Sequence, residues 1–353
     1  MENMERLDRK FWKNKKVLVT GHTGFKGAWA SFILNYLGCK VYACALKPKK
    51  NQILFNQLNL KSILEKSEFF NICDSKKLNK FILSAKPEII FHFAAQPYVI
   101  DSYKKPTETF NTNVLGTMNV LNLTKYKFVE FITVITSDKC YENSPTKIFF
   151  SENDKLGGND IYSSSKACCE LLVNAYRKSF CNGKRIITVR AGNVIGGGDF
   201  GNYRLMTDFF KCIKDKKKLK LRNPNYVRPW QHIFDVLNGY FLVTQKCFRK
   251  PTKYSSAWNF GPEKNGHIKV STLIDLFNAK LDKRINVTFK KDDQYPEEKY
   301  LFLNISRSKK ELAWRPKLKI DDVVKHTLDW YLNYFEKKKS FEFSLAQINN
   351  YKF

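Results

Sequence analysis

The sequence predicts an α/β protein built on a doubly wound parallel sheet, with a smaller, interleaved C-terminal domain. Three observations carry that prediction. A short apolar run over 15–20 leads directly into glycines at spacing three, Gly21, Gly24 and Gly27, and then into an apolar-periodic helix. Further apolar runs near 41–46, 68–72, 88–93, 131–135 and 186–190 alternate with helical patterns, and strands joined through helices pair in parallel. From about residue 193 the pattern changes to shorter apolar runs, proline-containing segments and aromatic clusters such as Ala257-Trp258-Asn259-Phe260-Gly261-Pro262. The expected division is 1–192 for a dinucleotide-binding domain and 193–353 for a mainly substrate-binding lid that returns in places to the first.

Each element follows in order. The run 15–20 is a buried strand, and the glycine loop after it lets backbone N–H groups and a helix N-terminus receive a pyrophosphate. The helix carries Trp29, Phe32, Ile33, Tyr36 and Leu37 on its apolar face, and Gly38 ends it. The second strand ends where an acidic residue would hold the adenosine ribose hydroxyls. Lys47 stands there instead, followed by Lys49 and Lys50, so NAD and NADP both remain open. Asn71 closes the third strand, within reach of an adenine edge. The fourth leads to Ala94-Ala95-Gln96, whose small residues let the backbone approach a dinucleotide; His92 within it reads as a core residue. A helical pattern over 109–123 precedes the strand 131–135.

That strand stops at Thr136-Ser137-Asp138-Lys139-Cys140-Tyr141, in the crevice where such sheets bind ligands. Tyr162-Ser163-Ser164-Ser165-Lys166 then opens an apolar-periodic helix. Tyrosine and lysine four apart share one helix face, and an ammonium beside a phenol favours the phenolate. Tyr162 is thus a candidate base, and Ser137, Asp138 and Lys139 share its crevice. After the strand 186–190 comes the glycine-rich loop Ala191–Asp199, written Ala191-Gly192-Asn193-Val194-Ile195-Gly196-Gly197-Gly198-Asp199. Arg204 and Arg228 beyond it are candidate diphosphate contacts, because arginine bonds phosphate oxygens in pairs.

Composition narrows the class. A hydrophobic content of 43% fits a globular chain, and no apolar run is long enough to expect a membrane span or a signal peptide. Nine cysteines without metal-ligand spacing read as cytoplasmic thiols, and no metal site is expected. The net charge of +29 would attract anions, but the lysines are spread along the chain and no nucleic-acid motif accompanies them.

Together these segments resemble the extended short-chain dehydrogenase/reductase family of NAD-dependent epimerases and dehydratases, over almost the whole chain. Within it they are most similar to the nucleotide-sugar 4,6-dehydratases that act on CDP-glucose. Phe11-Trp12, the loop from Gly21 to Gly27, Ala94-Ala95-Gln96-Pro97, Ser137-Asp138-Lys139 and Arg228-Pro229-Trp230-Gln231-His232 carry the likeness. Asp138-Lys139 is the most telling dipeptide, since related dehydratases place Asp-Glu there and the epimerases neither.

The resemblance implies a redox-neutral dehydration to a 4-keto-6-deoxy sugar, for deoxysugar and surface-polysaccharide synthesis. Tyr162 would be the base at the 4-hydroxyl, Lys166 its partner, Ser137 the ligand of the 4-oxygen, Lys139 the base at C5 and Asp138 the acid at the 6-hydroxyl. Gly21, Gly24, Phe25, Lys26, Gly27, Asn71, Ile72, Phe93, Ala94, Ala95 and Thr112, with Tyr162 and Lys166, would line NAD. Gln96, Asn193, Arg204, Arg228 and Tyr300 would hold the nucleotide sugar. A homodimer or homotetramer is implied as well. Asn71 and Lys47 depart from the family's usual acidic residues. The competing readings are a dehydratase or 4-epimerase for a dTDP-, UDP- or GDP-linked sugar, and a non-catalytic nucleotide sensor.

Overall fold

The computed structural model describes residues 5–143, 149–180, 185–289 and 299–353; Met1 to Met4, on which part of the leader expectation rests, lie outside them. A single helical turn, Arg9–Trp12, precedes β1 (Lys16–Thr20), whose last four residues are buried. Aliphatic side chains on both faces suit a strand covered by helices on each side. Helix α1 (Phe25–Tyr36) packs Ala28, Trp29, Phe32 and Ile33 inward, and Gly38, at φ +87°, turns the chain back toward β2 (Lys40–Ala45).

Next come β3 (Lys66–Phe69), α2 (Ser75–Ala85) and β4 (Ile89–His92). The third strand starts before the expected 68–72 and stops at Phe69, because Asn71 Oδ1 accepts the Cys73 N–H at 2.9 Å and closes a turn. Helical segments Pro106–Phe110 and Gly116–Leu121 flank a single π turn, Asn111–Leu115, and with the following turn, Asn122–Lys125, cover the expected 109–123. Strand β5 (Phe131–Ile135) is buried at every residue. Helix α3 (Ile161–Ser179) begins at Asp160, whose carboxylate accepts the Ser163 N–H at 2.9 Å. Strands β6 (Ile186–Ala191) and β7 (Ala257–Phe260) complete the sheet, and α4 (Ile233–Arg249) between them is buried along nearly its whole length.

The seven strands pair in the order β3-β2-β1-β4-β5-β6-β7, each pair parallel. Registers Thr20↔His92, His92↔Val134, Ile135↔Val189 and Ala191↔Phe260 bring the strand ends to one edge. Order reverses between β1 and β4, which opens a crevice at that edge. His92 lies in the sheet as a core residue: its ring nitrogens bond Thr20 Oγ1 at 2.8 Å and Thr117 Oγ1 at 3.0 Å. Burial pushes its pKa down to about 3, so the ring is neutral there.

Beyond β6 the chain forms short ladders over the crevice. Val194–Ile195 pairs with Gln231–His232, Val227–Pro229 with His267–Lys269, and Leu219–Leu221 with Val287–Phe289. The loop at Gly196 to Asp199 is clamped from two sides. The Trp29 indole donates to Gly197 O at 2.9 Å, and Tyr331 on helix α5 (Ile320–Phe335) donates to Asp199 O at 2.7 Å. Among the described residues no helix is long and apolar enough to cross a membrane.

Candidate active site

The crevice begins at Gly21, held at φ +79°, where a Cβ would meet Ala94 N at 2.7 Å. A side chain there would be strained by φ and would collide with the neighbouring strand end. Gly24 is the N-cap of α1; it gives no side-chain cap and no acidic residue follows in the first turn. A Cβ on Gly24 would touch only Gly21 O, at 3.4 Å, so that side of the turn is open. An uncapped, unshielded helix N-terminus beside a strand end fits a dinucleotide pyrophosphate. Phe25 and Lys26 stand half-buried in this turn, and Phe93, Ala94 and Ala95 face it from the end of β4. Thr112 is half-buried in the π turn, Ile72 is buried against Gly116, and Asn71 and Lys47 are exposed.

Lys26 is in electrostatic range of residues deeper in the crevice. Burial pushes its ammonium down to about 8, Arg204 and Lys166 push the same way, and Asp138 and Asp199 oppose them. Its charge therefore acts in the reaction half of the crevice.

At the end of β5, Ser137 caps a single turn, Asp138–Cys140. Its hydroxyl donates to Asp138 Oδ1 at 2.9 Å and accepts the Lys139 N–H at 3.3 Å. Asp138 is buried, and burial raises its carboxyl pKa; Lys139, Ser137, Lys26 and Arg228 pull the other way without cancelling it. Lys139 is half-buried beside it. Gly192, just past β6, closes over this carboxylate: a Cβ there would lie 2.9 Å from Asp138 Oδ2 and 2.7 Å from Pro229 Cγ.

Tyr162 and Lys166 face the same turn from α3, both buried. Burial pushes the Tyr162 phenol up to about 12, Ser137 and Arg204 favour its ionisation, and Asp138 and Asp160 oppose it. Lys166 Nζ donates to Ile135 O at 3.2 Å, and burial pushes its pKa down. The simple helix-face argument predicted a phenol lowered by Lys166. Here the favourable cation on Tyr162 is Arg204, and desolvation outweighs it. Ultraviolet difference titration of the parent against Tyr162→Phe, both without cofactor, is expected to show no Tyr162 phenolate at pH 10, where an ordinary tyrosine of pKa 10.0 is half ionised.

Asn193, Arg204 and Arg228 line one cavity of ≈ 190 Å³, with Arg222, Asn223 and Tyr226. The Arg228 guanidinium donates to Val227 O at 3.0 Å and sits 5.2 Å from the Tyr226 ring centroid. Arg204 lies 3.9 Å from Asp199 Oδ2 and 5.7 Å from the Tyr98 ring centroid. Two expected substrate residues do not join them. Tyr300 is exposed, with its ring against Phe302. Gln96 turns its amide inward: Nε2 donates to Tyr98 O at 3.0 Å and Thr109 Oγ1 at 2.8 Å, and Oε1 accepts the Tyr98 N–H. Its side chain is thus engaged within its own loop.

Other residues enter without having been singled out. Asn113 ties the β4 loop to α3, accepting the Gln96 N–H at 2.8 Å and donating to Ser165 Oγ at 2.9 Å. Tyr240 of α4 is buried near Asp138 and Tyr162, whose charges act on it, and its hydroxyl has no partner among the described residues. Thr136, Tyr141, Glu170 and Arg190 form a buried cluster behind the turn. Glu170 follows Lys166 by four, a helix-face signal available in the sequence; Tyr240 carried none.

The profile described as GDP-mannose 4,6 dehydratase matches residues 18–327. The chain is 36% identical to the CDP-glucose 4,6-dehydratase of Salmonella typhimurium, covering 98% of each. Among solved structures, an epimerase from Methanothermobacter thermautotrophicus aligns with a TM-score of 0.80 at 21% identity, covering 93% of this chain and 95% of that one. The dTDP-glucose 4,6-dehydratase of Bacillus anthracis, solved in complex with NAD, aligns with a TM-score of 0.73 at 22% identity, covering 93% and 99%. These likenesses extend from the glycine loop through the crevice to the short ladders above it, and the chain belongs to the GDP-mannose 4,6 dehydratase family of NAD-dependent epimerases and dehydratases.

Proposed function

We propose that this chain is an NAD-dependent hydro-lyase that converts CDP-glucose to CDP-4-keto-6-deoxyglucose. The observation that carries the reading is the buried turn where Asp138 and Lys139 stand beside Ser137 and Tyr162. A 36% identical relative named CDP-glucose 4,6-dehydratase supports the nucleotide and the sugar.

Bound NAD, cradled by Gly21, Gly24, Gly27 and the first turn of α1, supplies a hydride acceptor for sugar C4 and a donor for C6. Tyr162 as phenolate takes the proton of the 4-hydroxyl, and Ser137 steadies the oxygen. Lys166, a turn away on α3, supports the phenolate. The resulting ketone acidifies the C5 proton, which Lys139 removes. Asp138, whose carboxyl pKa is raised by burial, gives its proton to the 6-oxygen as the C6–O bond breaks and water leaves. Lys139 then returns its proton to C5. In each cycle Tyr162 gains a proton and Asp138 loses one. Ser137, beside Tyr162 and donating to Asp138, is the hydroxyl through which the two can be reset. Arg204, Arg228 and Asn193 hold the nucleotide diphosphate at the lid we assign to 193–353.

Mass spectrometry of CDP-glucose incubated with the protein and NAD is expected to show loss of one water without net NADH. Unchanged CDP-glucose, with water loss from dTDP-, UDP- or GDP-glucose, would reassign the nucleotide. Gly192→Ala is expected to keep the helix content by circular dichroism while cutting turnover about 10²-fold, because its methyl must displace the Asp138 carboxylate or Pro229.

A further inference from the structure

Behind the reacting turn lies a buried ion pair that the mechanism above does not use. Arg190 of β6 meets Glu170 of α3 side-on, Nε to Oε1 at 2.9 Å and Nη2 to Oε2 at 2.8 Å. Both side chains are at most 3% exposed. Burial pushes the Glu170 carboxyl up, and the Arg190 charge with hydrogen bonds from Arg190, Thr136 and Thr188 more than reverses this, so Glu170 stays below the ordinary glutamate value.

The remaining contacts of the pair fall on both ends of the turn that carries the acid and the base. Thr136 Oγ1, one residue before Ser137, donates to Glu170 Oε1 at 2.5 Å. Arg190 Nη1 donates to Tyr141 OH at 2.7 Å, two residues after Lys139, and to Glu152 O at 3.1 Å. Tyr141 OH in turn donates to Asn259 Oδ1 of β7 at 2.7 Å. Glu170 also stands one turn beyond Lys166 on the helix that presents Tyr162. A single pair thus grips residues 136 and 141 and the helix at once.

A buried pair of this kind is weak evidence for stability, since the cost of desolvating two charges offsets much of their attraction. What it supplies reliably is geometry, because a bidentate guanidinium–carboxylate contact tolerates little rotation. The two half-reactions differ in their need for it. Tyr162 is placed by its own helix, through the Asp160 cap and the Ser165 hydroxyl donating to Tyr162 O at 2.7 Å. Asp138 and Lys139 sit on a three-residue turn with no helix of their own.

We propose that the Glu170–Arg190 pair is the positioning unit for water elimination: it sets the turn 137–139 against the Tyr162 helix, and loosening it slows elimination more than oxidation at C4. The proposal rests on the dehydratase reading given above. Thr136→Val and Tyr141→Phe each delete one hydroxyl and leave both charges paired, so the fold is kept. With CDP-glucose and NAD, each variant is expected to turn over about 10- to 100-fold more slowly. Each should also accumulate enzyme-bound reduced nicotinamide in the steady state, read from its near-ultraviolet absorbance, where the parent shows little. Thr136→Ser restores the hydroxyl and should restore the parent behaviour, whereas a general loosening of the fold would slow both halves alike. Unchanged turnover in both variants overturns the proposal. So does slower turnover without reduced nicotinamide, because oxidation has then slowed as well. A parent that removes water from no nucleotide sugar overturns the dehydratase reading itself, and the proposal with it.

Discussion

Tyr162→Phe is expected to lower turnover by about 10²–10⁴-fold while NAD still binds. The variant removes one oxygen from a ring that is buried on α3, so packing is almost unchanged. What it loses is the acceptor for the 4-hydroxyl proton, without which the alcohol cannot become a ketone at neutral pH. The ketone is the product of the first half-reaction and the starting point of the second, so no reduced nicotinamide should appear at the parent rate when CDP-glucose is mixed with the loaded variant. Rapid-mixing absorbance would read this directly. Reduced nicotinamide forming at the parent rate would remove Tyr162 from its place as base. The cofactor-free pKa of about 12 sharpens the point. In the loaded site Lys166, on the same helix face, and the positive charge that bound NAD would supply would add to Arg204 in stabilising the phenolate.

Lys139→Ala is expected to separate the two halves of the reaction. Oxidation at C4 needs Tyr162, Ser137 and Lys166 and should proceed. Removal of the C5 proton should fall by about 10²–10⁴-fold, leaving the reduced cofactor and the ketone on the protein. The two variants therefore have opposite spectroscopic signatures: Tyr162→Phe stays oxidised and Lys139→Ala becomes reduced. Water loss by Lys139→Ala at the parent rate would assign the C5 base elsewhere. Lys26 is the neighbouring amine to examine then, since burial and the charges of Arg204 and Lys166 push it down to about 8.

Most of the sheet was legible because β1, β4, β5 and β6 are written as nearly pure apolar runs, as parallel strands covered on both faces must be, whereas β7, carrying Trp258 and Asn259, read as part of the lid. Strand 131–135 coincides with β5 residue for residue. The third strand was misplaced because the apolar run through Phe70 and Ile72 continues past the real end. An Asn71 side-chain bond there favours a turn, and Phe70 is buried by tertiary contact with Phe81. The residues of the reacting turn were readable as a local motif on a strand end and a helix start. The cluster of Thr136, Tyr141, Glu170, Arg190 and Asn259 was not, since it draws on four separate elements that only the folded sheet brings together. The amide of Gln96, placed at the substrate by the resemblance, bonds Tyr98 and Thr109, a pairing that no local sequence pattern announces. Gly192 looked like one glycine among several, and its role came from a distance, the close approach to Asp138 Oδ2.

The central claim is that one hydrogen moves from C4 to C6 of the same sugar as water leaves. CDP-glucose deuterated at C4, incubated with the protein and NAD, tests it most directly. The account predicts a product one water lighter that keeps the deuterium, now located at C6 by nuclear magnetic resonance. A product that has lost water but carries no deuterium at C6, or an unchanged sugar with deuterium still at C4, would contradict it.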